Sequence, residues 1–410
     1  MIESYATRAV LIGVSLVTTV VVARLLGPAG RGLYAVAVAT SAVGVQLGNL
    51  GLHTANVHFA ARNPQSLPGL LGNTLIVGFG LGSLVSTALA IIALTSPQTI
   101  PIHGVLLILT LVGIPLGIAY LLIQDLMLGM HDVRGYNLVE VVNKSVPLVL
   151  MMCVFVAHQA SVASLFATTL AALVAGSMWS MHRLESKLQN WPMPSLALFR
   201  ETIHYSLRTY LVTLFAFMVL RADLFMVLKM LGAEQAGYYS IASSMADVVG
   251  TLAVVVGTVL LPRLSSLSDV GAKLRLTYKV MYGVGTTLLS LLLIACVLAK
   301  PAVRLLFGNV FEPSAVTFVL LAPGVLFVGM QAVVMQFLNS VGCPKAGVQI
   351  WGFCIFFNIA SNLWAIPRYG IAGAAIVCSI TYLVAFTLLV WVAGRPKLAR
   401  VAALHQRERD

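Results

Sequence analysis

Charged residues are scarce, at 9% of a 410-residue chain, where soluble globular domains carry roughly 25%. With 59% hydrophobic residues, that shortage excludes an ordinary water-soluble fold, and lipid is the expected solvent. Cysteine is nearly as rare. Cys153, Cys296, Cys343, Cys354 and Cys378 are scattered through mostly apolar runs, without the close pairing that a zinc site or a redox dithiol requires. They read as small hydrophobes. The histidines are dispersed, and neither a P-loop nor a glycine-rich nucleotide turn is present. Long polar loops that would carry catalytic groups are also lacking. No cofactor, no metal and no enzymatic activity are therefore expected.

What remains is a series of long apolar runs. Requiring near 20 apolar residues per crossing places helices at 8–25, 33–51, 69–94, 104–128, 138–157 and 161–181 in the first half. The second half gives 203–228, 238–261, 276–298, 314–338, 346–365 and 371–393. The fold class is an all-α membrane protein of about twelve transmembrane helices in two six-helix lobes. The N-terminal lobe spans 1–182, a linker 183–202, the C-terminal lobe 203–393 and a basic tail 394–410. The first apolar run superficially resembles a signal peptide, and the spans that follow argue for a retained helix.

The excess of 25 Lys and Arg over 13 Asp and Glu, net +12, has to be sorted by membrane side before it says anything about partners. With the N-terminus cytoplasmic, sixteen bases fall in inside segments and six in outside loops, while Lys144, Arg208 and Arg221 lie within spans. Bases resist translocation, so both termini belong in the cytoplasm. The tail GRPKLARVAALHQRERD reads as an anchor beside anionic lipid, with no nucleic-acid partner. Trp191, Trp364, Tyr369 and Trp391 fall near predicted interfaces, as belt residues do.

The two halves repeat. RLLGPAGRGLYAVA at 24–37 aligns with KMLGAEQAGYYSIA at 229–242, an offset of 205. Gly27 matches Gly232, Gly32 matches Gly237 and Tyr34 matches Tyr239. The first glycine of each pair is suited to ending a helix and the second to close packing. Pro115 and Pro323 form a second correspondence, and each would kink its helix. Six helices per half give both halves the same orientation, a parallel repeat about the membrane normal, with a central cavity expected between the lobes.

These segments, with RADLFMVLKMLGAEQAGYYSIA (221–242), LFGNVFEPSAV (306–316) and IPRYGIAGAAI (366–376), resemble the Wzx-like polysaccharide flippases of the multidrug/oligosaccharidyl-lipid/polysaccharide exporter superfamily. The resemblance spans nearly the whole chain. It implies a MATE-like fold in the bacterial inner membrane and export of lipid-linked, polyprenyl diphosphate glycans. Glycosyltransferases and a polymerase of the same pathway would be neighbours. Lipid-II-flipping relatives carry additional arginines in helix 1, and Ala9 to Ala23 contains none.

A charge inside a span costs about 2.5–3.5 kcal/mol on insertion scales, which makes each one a functional candidate. Lys144, Arg221 and Arg208 are the candidates for an anionic diphosphate headgroup, and Asp247, Asp223 and Glu140 for a coupling ion or for charge pairing. Glu140 and Lys144, four apart, share a helix face, while Arg221 and Asp223, two apart, do not. Asp247, midway along its helix, is the leading coupling candidate, with a salt bridge to Arg221 or Arg208 as its rival role. The uncharged polar residues Gln46, Asn49, Gln124, Gln331, Gln336, Asn358 and Asn362 suit either sugar hydroxyls or helix stitching. Two other functions stay open. A multidrug antiporter of the same fold would want an acidic cavity, and a non-transporting scaffold of a polysaccharide synthesis complex would tolerate neutralisation of every cavity charge.

Overall fold

The computed structural model describes residues 2–95, 102–188, 190–267, 269–341 and 345–395. Of these, the side chains of 2–9, 208, 252, 254, 255, 258 and 259 are not described. The described residues are mostly helical, and none of them forms a strand: α1 Ile2–Gly48, α2 Leu52–Arg62, α3 Leu67–Leu75, α4 Gly82–Thr95, α5 Gly104–Gly129, α6 Val133–Val156, α7 Val162–Glu185, α8 Leu196–Leu231, α9 Ala233–Ser266, α10 Val270–Leu306, α11 Pro313–Ser340 and α12 Lys345–Ala393.

Nine helical segments among the described residues are long and apolar enough to cross a membrane, and two of them are double. At 1.5 Å per residue, α1 and α12 would each be about 70 Å long, more than twice the hydrocarbon thickness. Both break at a glycine followed or preceded by proline: Gly27 (φ 64, ψ −176) before Pro28, and Gly370 (φ 60, ψ −145) after Pro367. Only glycine holds that left-handed backbone without strain. Each break falls between two predicted spans, and every one of the twelve predicted spans lies on a helix. The third span is built from α3, a π-helical turn Ile76–Leu81 and α4.

One element lay outside the expectation. Residues 52–62, read from sequence as loop, form α2, which is too short and too polar to register as a crossing. It buries Leu52, Ala55, Asn56 and Ala60 along one face, and Asn56 Nδ2 donates to Thr74 Oγ1 at 3.0 Å. α10 begins at Val270, six residues before the predicted span at 276, so that Lys273 and Arg275 are helical, with Lys273 buried.

The chain divides into two compact units, Met1–Phe217 with Gly232–Gly237, and Met218–Leu231 with Tyr238–Asp410. In the first, α5 is the hub. Its glycines admit neighbours closely, Gly113 beside Ser41 and Leu170 and Gly117 beside Val45. The irregular stretch before α8 is pinned to α3, where Asn73 Nδ2 donates to Ser195 O (3.0 Å) and Ser195 N donates back to Asn73 Oδ1 (2.9 Å). Gly72 lets Met193 and Pro194 backbone approach to where a Cβ would stand only 2.6 Å away. In the second unit, α11 packs between α10 and α12 around Phe318, Val333 and Phe337.

Proline leaves the carbonyl four residues earlier without its helical donor. In the first unit Ser86 Oγ supplies it, donating to Leu111 O at 2.8 Å opposite Pro115. In the second, Ser379 inserts beside Pro323. Its Oγ donates to Leu320 O (2.7 Å) and accepts from Gly324 N (3.2 Å), bridging a broken i to i−4 bond.

Outside the spans, carboxylates cap helices. Asp132 Oδ1 accepts from Gly135 N (3.0 Å) and its carboxylate pairs with Arg183 (2.9 Å). Partial burial pushes its pKa up, but the N–H bond and the Arg183 charge outweigh that and hold it below the usual carboxylate value. Lys300 and Arg304 likewise hold Glu312 down, each at 2.7 Å.

Candidate functional site

The most concentrated polar chemistry lies in the second unit around Asp223. The α8 register that makes Val219 and Val227 core residues also carries Asp223 inward, at 1% exposure. Tyr239, on the first turns of α9, donates its hydroxyl to Asp223 Oδ2 at 3.0 Å. From the first segment of α12, Asn362 Nδ2 donates to Asp223 Oδ1 at 2.7 Å and reaches Asn358 Oδ1 at 3.2 Å. Cys378 and Asn358 lie beside the carboxylate and interact with it electrostatically. Thr381 closes the group from the second segment of α12, with Asn358 Nδ2 3.5 Å from its Oγ1.

Two features define what this arrangement can do. First, among the described residues no Lys or Arg forms an ion pair with Asp223, so a buried carboxylate stands without a countercharge, which costs several kcal/mol when ionised. Second, the carbonyl oxygen of Asn362, a residue with no exposure, accepts no hydrogen bond. A carboxylate without an ion pair among the described residues, beside an unsatisfied amide oxygen and hydroxyls, offers oxygens that a proton or a hard cation could use, with amide and thiol groups also bordering it.

The other sequence candidates are distributed. Arg221, two residues from Asp223, is half-buried and points elsewhere around α8. Asp247 is exposed on α9 and interacts electrostatically with Arg221. In the first unit, Lys144 is exposed on α6, roughly 120° around the helix from the outward apolar stripe of Leu138, Val142, Val149 and Met152. Glu140 lies near Tyr120 on the more buried side. The Arg208 side chain lies outside the described residues, as does most of the basic tail, of which Arg395 stacks on Trp391 at 3.5 Å.

The repeat glycines sit in tight quarters. A Cβ on Gly32 would strike the Ala233 carbonyl oxygen and stand 2.8 Å from Gly237 N, and one on Gly237 would strike the Pro28 carbonyl. Gly27 and Gly232 share a left-handed φ, 64 and 92. The repeat tyrosines have diverged. Tyr34 OH lies 3.2 Å from Thr169 Oγ1 and beneath Arg31 at 5.8 Å, whereas Tyr239 meets a carboxylate. At the offset of 205, Asp223 corresponds to Thr18, whose hydroxyl donates to Val14 O at 2.8 Å. The carboxylate is thus specific to the second half.

Sequence reading missed Asp125, a half-buried carboxylate inside the fourth span, for which a lone acid in an apolar run was the available signal. Cys378 was read as a plain hydrophobe. Nothing in its local sequence marks it as an Asp223 partner, because the two are 155 positions apart.

A family model described as "Polysaccharide biosynthesis protein" matches residues 21–316. The chain belongs to that family. A putative O-antigen transporter of Shigella flexneri is 22% identical over 174 residues, 42% of each chain. The chain spans less than half the length of the curated relatives it matches. Among solved structures, an inward-facing multidrug resistance MATE family transporter of the MOP superfamily superposes with TM-score 0.77 at 14% identity, over 95% of this chain and 94% of that one. The lipid II flippase MurJ, in an inward closed conformation, gives 0.72 at 14% identity, over 98% and 90%. The two-lobe MATE-like fold and the Wzx-like membership expected from sequence both hold.

Proposed function

We propose that this member of the polysaccharide biosynthesis family is a flippase that moves polyprenyl diphosphate-linked glycans across the bacterial inner membrane by alternating access, coupled to a cation at Asp223. The observation that carries the coupled mechanism is the buried Asp223 carboxylate, ringed by Asn362, Asn358 and Tyr239 and lacking an ion-pair partner among the described residues. A scaffold has no reason to retain an uncompensated buried charge. A transporter does, because a carboxylate that is costly when empty and stabilised when filled gives cation binding a differential free energy between two states. This reading favours Asp223, which receives hydrogen bonds from two other helices, over Asp247 as the coupling residue.

The substrate assignment rests on the family match. Lys144 on α6, Arg221 on α8 and Arg208 on the same helix supply the cations for the diphosphate head, with a charge-assisted contact at each. The polyprenyl tail stays in lipid, both termini are cytoplasmic, and glycosyltransferases and a polymerase supply and consume the glycan.

Transport of a fluorescent polyprenyl diphosphate sugar in proteoliposomes tests this. Asp223→Asn and Lys144→Ala should each slow flipping by about tenfold or more, the size expected for a lost hydrogen bond to a charged group. Wild-type flipping by Asp223→Asn removes the coupling assignment, and wild-type flipping by Lys144→Ala removes that lysine from the headgroup site. A protein that never flips the sugar but extrudes cationic dyes in an Asp223-dependent way is the antiporter instead.

A further inference from the structure

The stretch that joins α7 to α8, all of it within the first unit, is apolar on two sides. Leu188 and Leu198 pack inward against the cluster of Leu67, Leu70 and Leu71. Gly69 makes room for them, with Leu198 Cδ2 3.2 Å from where a Cβ would stand. On the other side, Trp191, Met193 and Leu196 are 85, 71 and 65% exposed. Three large apolar side chains exposed within six residues would be an aggregation surface in water.

The depth of the stretch follows from what it is tied to. Asn73 holds Ser195 N and O through two hydrogen bonds, and it is the fifth residue of the predicted third span, 69–94. At about 1.5 Å per residue, Asn73 lies about 13 Å from the middle of that span, just inside a hydrocarbon half-thickness of about 15 Å. Nearer the start of the stretch, Lys187 Nζ donates to Met130 O at 3.3 Å, two residues past the predicted fourth span at 104–128, which is headgroup level. Residues 191–195 are not helical. Backbone without internal partners cannot enter the hydrocarbon proper, so the chain stays at the boundary while its apolar side chains reach across it.

We propose that residues 190–196 form an interfacial segment docked on phospholipid, with Trp191, Met193 and Leu196 seated among the glycerol groups and upper acyl carbons of the leaflet that meets the start of the third span. Lipid is the occupant because Asn73 sets the depth: a partner in water would have to reach below the headgroups to cover this face. The attraction is apolar. Lys187 and Arg200 flank the segment, but Glu185 and Glu201 lie close to them in sequence, and all four are exposed. Zwitterionic lipid therefore suffices, and the buried apolar area supplies the binding. The join between the predicted lobes is thus a membrane-surface element, where its place between spans would make it a loop in water.

The test is tryptophan fluorescence of the full chain in phosphatidylcholine nanodiscs, with the signal of Trp191→Phe subtracted so that Trp191 is read apart from the other tryptophans. Because Trp191 is largely exposed, Phe at that position leaves the fold intact, which matching melting temperatures check. Lipid brominated near the carboxyl end of its acyl chains should quench the Trp191 component by about half, and lipid brominated near the methyl end much less, as for a ring seated about 5–10 Å into the headgroup and acyl boundary. Aqueous iodide should have little effect. Leu196→Trp, introduced on the Trp191→Phe chain, should report the same shallow depth; a water-exposed signal there overturns the segment. Ready quenching of Trp191 by iodide overturns the docking and returns the join to water. Insensitivity to iodide and bromolipid alike means that protein covers the face, a second copy if crosslinking joins two chains, and overturns the proposal as well. None of these readouts depends on transport, so each outcome leaves the function proposed above to its own test.

Discussion

Single side chains in this protein act through the company that the fold gives them. Asp223 and Asp132 are both aspartates, but one is a buried carboxylate without an ion pair among the described residues and the other caps a helix beside Arg183. For Asp132 the consequence is a pH dependence with a definite sign. Because its folded pKa lies below the ordinary value, it adds stability above that ordinary value and loses it as pH falls through the lowered one. Thermal unfolding in detergent should therefore show an acid-side loss of stability that Asp132→Ala reduces. At neutral pH the same substitution should cost about 1 kcal/mol, the usual value of an N-cap. Equal acid profiles for the two proteins would show that other carboxylates govern that window. Lys144 and Glu140 illustrate the limit of spacing arguments. Four residues apart, they share a face of α6 as their spacing requires, but whether that face meets substrate is decided by what lies opposite.

Helices here are set by length and by their breaks. Each of the twelve apolar runs read from sequence lies on a described helix, because the hydrocarbon demands about 20 apolar residues and forbids unpaired backbone. Run length did not reveal α2, which lies outside that constraint and owes its existence to burying Leu52, Ala55 and Ala60. Nor did it reveal how the proline kinks are tolerated. The kinks at Pro115 and Pro323 were legible from the prolines, while the serines that repair them sit on other helices at positions with no local signature. Ser379→Ala should leave Leu320 O and Gly324 N without their bridge. It should destabilise the second unit by roughly 1–3 kcal/mol, the desolvation cost of buried unpaired groups, whereas Ser83→Ala, on an exposed position near Ser86, should be nearly neutral. Matching melting temperatures for the two variants would mean that water satisfies the kink.

At the scale of the whole chain, the two halves are products of one repeat that have taken different chemistry. The first is built around α5, with polar stitching through Asn56, Thr74 and Ser41 and a half-buried acid at Asp125; the second carries the fully buried Asp223. The join between them is ordered at its far end. Asn73 holds Ser195 through a reciprocal pair of hydrogen bonds, and Gly69 and Gly72 clear the space for it. Asn73→Leu should free residues 190–196, so limited proteolysis should cut the chain into halves at least several-fold faster than in the wild type. An unchanged cutting rate would show that the Gly72 packing alone retains the segment.

Membrane class, apolar runs, repeat and family were all legible in the sequence itself. They depend on composition, run length and local similarity, quantities that each segment carries without reference to any other. The proposed cation site was not legible there. Asp223, Tyr239, Asn362 and Cys378 come from three helices and from positions up to 155 residues apart. Only tertiary packing, by bringing hydrogen-bond partners from α9 and α12 onto Asp223, decided the surroundings that the proposal for this carboxylate rests on.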